Sequence, residues 1–258
     1  MEDTTSVSLI PASQSVIAMV VTFRNVDEFE GWEKFPSFIE EIIANHSLKH
    51  VCEVGAGANP AISPDVVRRN GLLYRALDES EGEMLKSGMT ETSVYDVCAA
   101  DSIMPGAPYD LIFSRMTAEH FRDPNHAYRN MFRSLAPGGL AAHCFATLYA
   151  LPFVLNRMLP DRLSDFFFNR FAPRDREHHN KFKAYYSCCR GPQRRQIQFF
   201  RGLGYEVLEY RAYFGHRYYA PRLPLLHFIH QKKTSLLLKV PIAFLTSYAT
   251  IILKRPLQ

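Results

Sequence analysis

Apolar and polar residues follow two different rhythms along this chain. Between residues 26 and 47 the period is helical, with Phe38, Ile39, Ile42 and Ile43 on one face and Glu40 and Glu41 outside it. The short run from Lys49 to Val54 then ends in glycines, which predicts a strand entering a sharp turn. Pro64 opens a helix to Asn70, with Asp65 favoured in its first turn and Gly71 as its stop. Leu72 to Leu77 reads as a second strand, Ser93 to Val97 as a third, and Asp110 to Ser114 as a fourth, led in by Pro108-Tyr109. Asn125 to Leu135 carries Tyr128, Met131, Phe132 and Leu135 at helical spacing. Ala136-Pro137-Gly138-Gly139 ends it before a fifth strand, Leu140 to Phe145.

Strand and helix thus alternate with short connections, the pattern of a parallel, doubly wound α/β sheet with right-handed crossovers. The rhythm breaks after Ala146. From Leu148 to about Gln196 the chain is rich in aromatic and basic residues and carries Pro152, Pro160, Pro173 and Pro192. Alternation returns with a helix, Arg195 to Gly202, and a strand, Tyr205 to Tyr213. A second insertion from His216 to roughly Val240 precedes a final strand, Phe244 to Lys254. The predicted organisation is an N-terminal arm (1–36), a nucleotide-type half (37–147), a lid insertion (148–194) and the remaining half of the sheet (195–258), interrupted at about 216–240.

Composition changes this picture little. A chain of 258 residues, 47% hydrophobic and 22% charged, can bury one α/β domain with elaborations and is neither disordered nor fibrous. Cys52, Cys98, Cys144, Cys188 and Cys189 are an odd set without framework spacing, so free thiols in a reducing, cytoplasmic setting are expected. His178, His179, Cys188 and Cys189 are potential zinc ligands. Sequence neighbours rarely converge on one ion, however, and no zinc spacing is present, so no metal is predicted. The apolar run Val16–Phe23 follows acids rather than bases and is too short to span a bilayer; Ser235–Leu253 is interrupted by Lys239 and Pro241. No integral membrane segment is expected.

The glycine turn is where chemistry enters. Gly55 and Gly57 follow a strand directly, allowing a sharp turn and close approach of a ligand to the backbone. A dinucleotide fingerprint would need a third glycine where Pro60 stands, and the Gly-Lys-Ser/Thr of a P-loop is absent. Glu53, two residues before Gly55, is instead suited to an ammonium group through charge-assisted hydrogen bonds. Asp78 closes the second strand, where a carboxylate takes ribose hydroxyls in other nucleotide folds, and Asp96 ends the third, where an acceptor meets an adenine amino group. An ammonium, a ribose and an adenine together describe S-adenosylmethionine.

The segments EVGAGANP, LDES, VYDVCAAD and PYDLIFSRMTAEHFRDPNHAYRNMFRSLAPGG resemble class I S-adenosylmethionine-dependent methyltransferases of the small-molecule type that includes ubiquinone and menaquinone methylases. Glu119 to Pro124 resembles the family's Glu-His-Val-x-Asp-Pro signature, and Asn59-Pro60 departs from it where a third glycine is commoner. The resemblance implies a seven-stranded Rossmann-like sheet, mostly parallel with a reversed last strand, plus helical lid insertions. It also implies S-adenosylmethionine as cofactor, at Glu53, Gly55, Ala56, Gly57, Asp78, Asp96, Val97, Ser114 and Arg115. His120 is the candidate base, because the family places it beside the methyl group and histidine titrates near neutrality. His143 is expected to be a core residue.

The insertions are expected to form the substrate lid, since loops at this sheet edge carry specificity. Lys and Arg strongly outnumber Asp and Glu between residues 151 and 233, interleaved with aromatics. That composition suits an acidic acceptor of aromatic, lipid-like or sugar-linked type, with Tyr185, Tyr186, Arg190, His216, Tyr218 and Tyr219 as candidate contacts. Peripheral attachment to a membrane through the basic insertions is an alternative use of the same residues. Nucleic acid is disfavoured, because Ser114-Arg115-Met116-Thr117 stands where base-amino methylases resemble one another in an Asx/Ser-Pro-Pro-aromatic motif, and no Pro-Cys nucleophile motif occurs. A partner protein with this fold but without catalysis is the remaining rival reading.

Overall fold

A computed structural model describes residues 19–28, 33–148, 183–216 and 224–257. Among the described residues, eight strands form one sheet: β1 (Val20–Asn25), β2 (His50–Val54), β3 (Leu73–Asp78), β4 (Thr92–Val94), β5 (Tyr109–Arg115), β6 (Leu135–Ala146), β7 (Glu206–Phe214) and β8 (Tyr248–Lys254). Their spatial order is β1-β7-β8-β6-β5-β2-β3-β4, and every neighbouring pair is parallel except those of β8, which runs antiparallel to both β6 and β7. The reversed last strand is therefore present, and the C-terminal ends of the seven other strands share one edge.

The helices among the described residues are α1 (Phe35–His46), α2 (Pro64–Asn70), α3 (Glu81–Met84), α4 (Pro124–Ser134), α5 (Arg194–Gly202) and α6 (Pro224–Lys239). Both faces of the central strands are covered, which is why those strands read as nearly continuous apolar runs. On one face Phe35, Ile39 and Ile42 of α1 pack on Val51, Leu111, Phe113 and Ala142. On the other, Tyr128 and Met131 of α4 and Phe200 of α5 pack on Cys52, Ile112, Ala141 and Phe145. All five cysteines are buried free thiols.

Several boundaries differ from the sequence reading. The sheet has eight strands rather than seven, because part of the expected N-terminal arm pairs in parallel with β7, from Val20 opposite Glu209 to Asn25 opposite Phe214. The third expected strand, Ser93–Val97, shortens to Thr92–Val94. There the chain turns, with the Tyr95 N–H donating to the Asp78 carbonyl (2.8 Å) and the Cys98 N–H to the Asp96 carboxylate (2.9 Å). β6 begins at Leu135, before the Pro137-Gly138-Gly139 turn rather than after it, with a register shift against β5. The final strand starts at Tyr248, because Ala243–Leu245 form a 3-10 turn. The second insertion contains a 16-residue helix, α6.

Candidate cofactor site

The turn after β2 is fixed from three sides. The Gly55 and Ala56 N–H groups both donate to the Leu77 carbonyl (2.7 and 3.2 Å), which ties the turn to the end of β3. The Gly57 N–H donates to the Asp78 carboxylate (3.0 Å). Gly55 has φ +72°, and a Cβ there would fall inside the Thr117 side chain, whose hydroxyl donates toward the Gly55 carbonyl (3.4 Å) and the Arg115 carbonyl (3.1 Å). Gly57, at φ +51°, has open space except for the Asp78 carboxylate at 3.7 Å. Gly55 is therefore demanded by packing and by backbone angle, and Gly57 by backbone angle alone.

Glu53 is buried at the base of this turn. Its carboxylate accepts the Ala61 N–H (2.9 Å to each oxygen) and the Tyr74 hydroxyl, so it spans the turn from inside. Burial raises its pKa to about 7, against the opposing pull of the Tyr74 and Ala61 hydrogen bonds and the Arg115 charge. Arg115, at the end of β5, reaches across to donate to the Asn59 carbonyl (2.8 Å). Glu53 and Arg115 thus hold the turn from its two ends.

The two strand-end acids are partly exposed. Asp78 accepts the Gly57 and Ser80 N–H groups, the latter at 2.9 Å, and desolvation raises its pKa from the ordinary carboxylate value. Asp96 accepts the Cys98 N–H and pairs with Arg122. The loop behind Asp96 hangs on Asn130, whose amide donates to the Val97 and Ala99 carbonyls (3.0 and 2.7 Å) and whose oxygen accepts the Ser102 N–H (3.0 Å).

The segment after β5 brings the third group. His120 Nδ1 lies 3.1 Å from the Lys183 carbonyl, and the Glu119 carbonyl accepts the N–H groups of Tyr185 (2.8 Å) and Tyr186 (3.0 Å). Lys183 lies over the Tyr185 ring at 5.1 Å. The Asp123-Pro124 pair of the signature does helix work: Asp123 caps α4 by accepting the His126 N–H (3.0 Å), and Pro124 is its first residue.

Not every expected contact faces this edge. Ser114 is buried with its hydroxyl on His143, and the side chains of Ala56 and Val97 pack in the two cores. These three have only backbone to offer a cofactor. Tyr186 packs in the larger core, and His216 is buried against His230, their rings 3.9 Å apart, beside β7 rather than the glycine turn. Arg190 is half-buried, and its carbonyl accepts the Gln193 side-chain amide (2.6 Å). Tyr218, Tyr219, His178 and His179 lie outside the described residues, as does the lid insertion from 149 to 182. The sequence reading missed Tyr74, Thr117, Arg122 and Asn130. Only Asn130 carried a signal, an amide among the apolar positions of α4.

These residues fit the cofactor that the resemblance implies. The two acids keep lone pairs at the exposed edge, and the neighbouring turn after β2 lacks Cβ atoms at Gly55 and Gly57.

Residues 23–206 match the family described as methyltransferase domain. A search of curated proteins found no match. Among solved structures, the chain is similar to an S-adenosylmethionine-dependent methyltransferase from Clostridium acetobutylicum, with a TM-score of 0.55 at 12% identity over 90% of this chain and 94% of that one. It is also similar to the [4+2]-cyclase SpnF, with a TM-score of 0.52 at 14% identity over 86% and 82%. A putative sarcosine dimethylglycine methyltransferase from Galdieria sulphuraria gives 0.50 at 12% identity over 86% of each chain. With its glycine turn and its strand-end acids on one edge of the sheet, the chain belongs to the methyltransferase-domain family and has the fold of S-adenosylmethionine-dependent methyltransferases.

Proposed function

We propose that this chain methylates an oxygen or nitrogen of a small acidic acceptor, with S-adenosylmethionine held along the edge formed by Gly55, Gly57, Asp78 and Asp96. The observation that carries the reading is the pair of partly exposed carboxylates at and just beyond the ends of the neighbouring strands β3 and β4, next to a turn whose glycines leave the backbone bare. When bound, the cofactor supplies a methyl group on a sulfonium, so the protein's share is proximity and orientation.

Each residue has a part. Asp78 offers its remaining lone pairs to ribose hydroxyls, and Asp96, held by Arg122, offers an acceptor to the adenine amino group. Glu53 is bound by Ala61 and Tyr74, so it acts as a positioning residue for the turn. In this reading His120 removes the acceptor's proton. A carbonyl only accepts, so a neutral His120 donates from Nδ1 to Lys183 and carries its lone pair on Nε2, the atom a base uses. Tyr185 and Lys183 stand beside it and are the described residues best placed to meet an acidic, aromatic acceptor.

Calorimetry with S-adenosylmethionine and with its demethylated product tests the cofactor reading. Wild-type protein should bind both, and Asp78→Ala should weaken binding about 100-fold with the thermal midpoint little changed. Absence of heat from the wild type would overturn the reading. The methyl-transfer step is tested on acidic acceptor panels, where His120→Ala should lower kcat by about 10²–10⁴ with cofactor affinity retained. A second reading, cofactor binding without methyl transfer, has one observation in its favour: a neighbour of similar fold is named a cyclase. It is selected if the wild type binds cofactor but transfers no methyl group to any acceptor.

A further inference from the structure

Helix α6 buries polar side chains and exposes large apolar ones. The side chains it turns into the protein include His230 and Thr234 along with Leu237, all buried. Those it turns outward include Leu225, Phe228, Ile229 and Leu236, followed by Val240, each more than half exposed and Leu225 by 73%. Spacings of three and four residues place this set on one stripe of the helix. A helix whose only partner is its own domain does the opposite.

The stripe continues beyond the helix. Ile242 and Phe244 are exposed in the following turn. That turn sits against the cofactor edge, since the Thr147 N–H donates to the Ser247 carbonyl (2.9 Å) and the Thr147 hydroxyl to the Thr246 carbonyl. Basic residues frame the apolar patch. Lys232 lies along it with its ammonium 5.3 Å from the centre of the Phe228 ring, and Lys233 and Lys239 flank it. Residues 224–240 contain no Asp or Glu.

We propose that the outer face of α6, with Ile242 and Phe244, docks on an anionic lipid surface. The apolar stripe enters the interface while the lysines meet the headgroups, their stems lying along the stripe. A purely apolar partner would leave the lysine charges unanswered, whereas an acidic bilayer surface satisfies both features with one contact. No helix among the described residues is long and apolar enough to cross a membrane, so the geometry is that of a helix lying on the surface.

The test is co-sedimentation of the full chain with vesicles of phosphatidylcholine containing phosphatidylglycerol, against phosphatidylcholine alone. Binding should require the anionic lipid and weaken as salt rises. Lys232→Gln with Lys239→Gln should lower partitioning about fivefold for each lysine removed. Phe228→Ser with Leu236→Ser should abolish it, while circular dichroism stays unchanged. Phe228→Trp should show a blue-shifted emission on vesicle addition. The proposal is overturned if the wild type does not pellet, or pellets equally with both vesicle types. It is also overturned if the serine variant pellets like the wild type, or if the wild type dimerises through this face without lipid and the serine variant does not. None of these outcomes depends on methyl transfer.

Discussion

Ser114 and His143 stand opposite each other in the β5–β6 ladder, with the serine Oγ 2.8 Å from the imidazole Nδ1 and both side chains fully buried. The Tyr128 ring meets the imidazole edge-on at 5.3 Å, and His143 Nε2 has no hydrogen-bond partner among the described residues. Burial pushes the imidazole pKa down to about 3, so the folded chain keeps His143 neutral.

That neutrality makes His143 an acid-sensitive element. The unfolded chain takes up the proton near pH 6.5, whereas the folded chain resists it down to about 3. The stabilisation is complete above 6.5 and is lost progressively as pH falls through that window. At pH 5 the loss attributable to His143 should be about 2 kcal/mol. Denaturant unfolding of wild type and His143→Leu from pH 7 to 5 checks this: the variant should show the flatter profile. Parallel profiles would remove His143 as the cause.

Glu53 works with the opposite sign. Its folded pKa of about 7 lies above the unfolded value of 4.5, so the folded chain binds the extra proton in between. Its contribution to stability is therefore greatest below 4.5 and falls as pH rises to about 7. Glu53→Gln should gain on the wild type over this range, by on the order of 3 kcal/mol in total. Thermal unfolding of both proteins without cofactor, at pH 5, 6, 7 and 8, reads the difference directly. A constant difference would show that the carboxyl is ionised throughout.

Gly55 and Thr117 are expected to be energetically coupled. A Cβ at Gly55 collides with the Thr117 side chain and is also placed at positive φ, whereas one at Gly57 meets only the second problem. Gly55→Ala should therefore cost about 3 kcal/mol or more and Gly57→Ala about 1–2. Adding Thr117→Gly to Gly55→Ala should recover about 1–3 kcal/mol of the loss. Additive effects in this double-mutant cycle would contradict the contact.

Asn130 holds three backbone groups of the loop behind Asp96, at Val97, Ala99 and Ser102. Asn130→Ala leaves them without that partner and should destabilise the protein by about 2–4 kcal/mol. Hydrogen exchange should locate the effect, with the Ser102 amide losing protection before the amides of β5. Uniform loss across the sheet would mean that the loop has no local stability of its own.

How far the sequence carried the fold depended on whether each segment's local pattern matched its burial. β2 and β5 are buried on both faces, so their apolar runs announced them, and glycine or Asp-Pro punctuation marked the neighbouring turns and helix starts. β1 lies on the sheet edge with Val20 exposed, so six residues with little periodicity gave no clear strand signal. α6 was hidden because its apolar residues stand exposed among lysines while His230 and Thr234 are buried, so no apolar helical face could be read. The strand-end acids were legible because chain order alone puts them on one edge. Tyr74 and Arg122 were not, because their roles arise from contacts to Glu53 and Asp96 across 21 and 26 residues of sequence. Ser114 lies one residue before the end of β5 and Val97 in the turn beyond β4, and both side chains are buried rather than turned to the edge, which sequence position alone does not reveal.

The position of β8 has a consequence for biosynthesis. It follows every other strand in the chain, yet it lies between β6 and β7, pairing with both. While a ribosome is still adding it, the β6-to-β4 block can assemble, but the β1–β7 ribbon has nothing to join. The exposed borders of β6 and β7 are then adhesive templates for a neighbouring nascent chain. Translation of residues 248–254 is thus the step that closes this sheet, and a ribosome stalled just before it should yield a chain that chaperones bind.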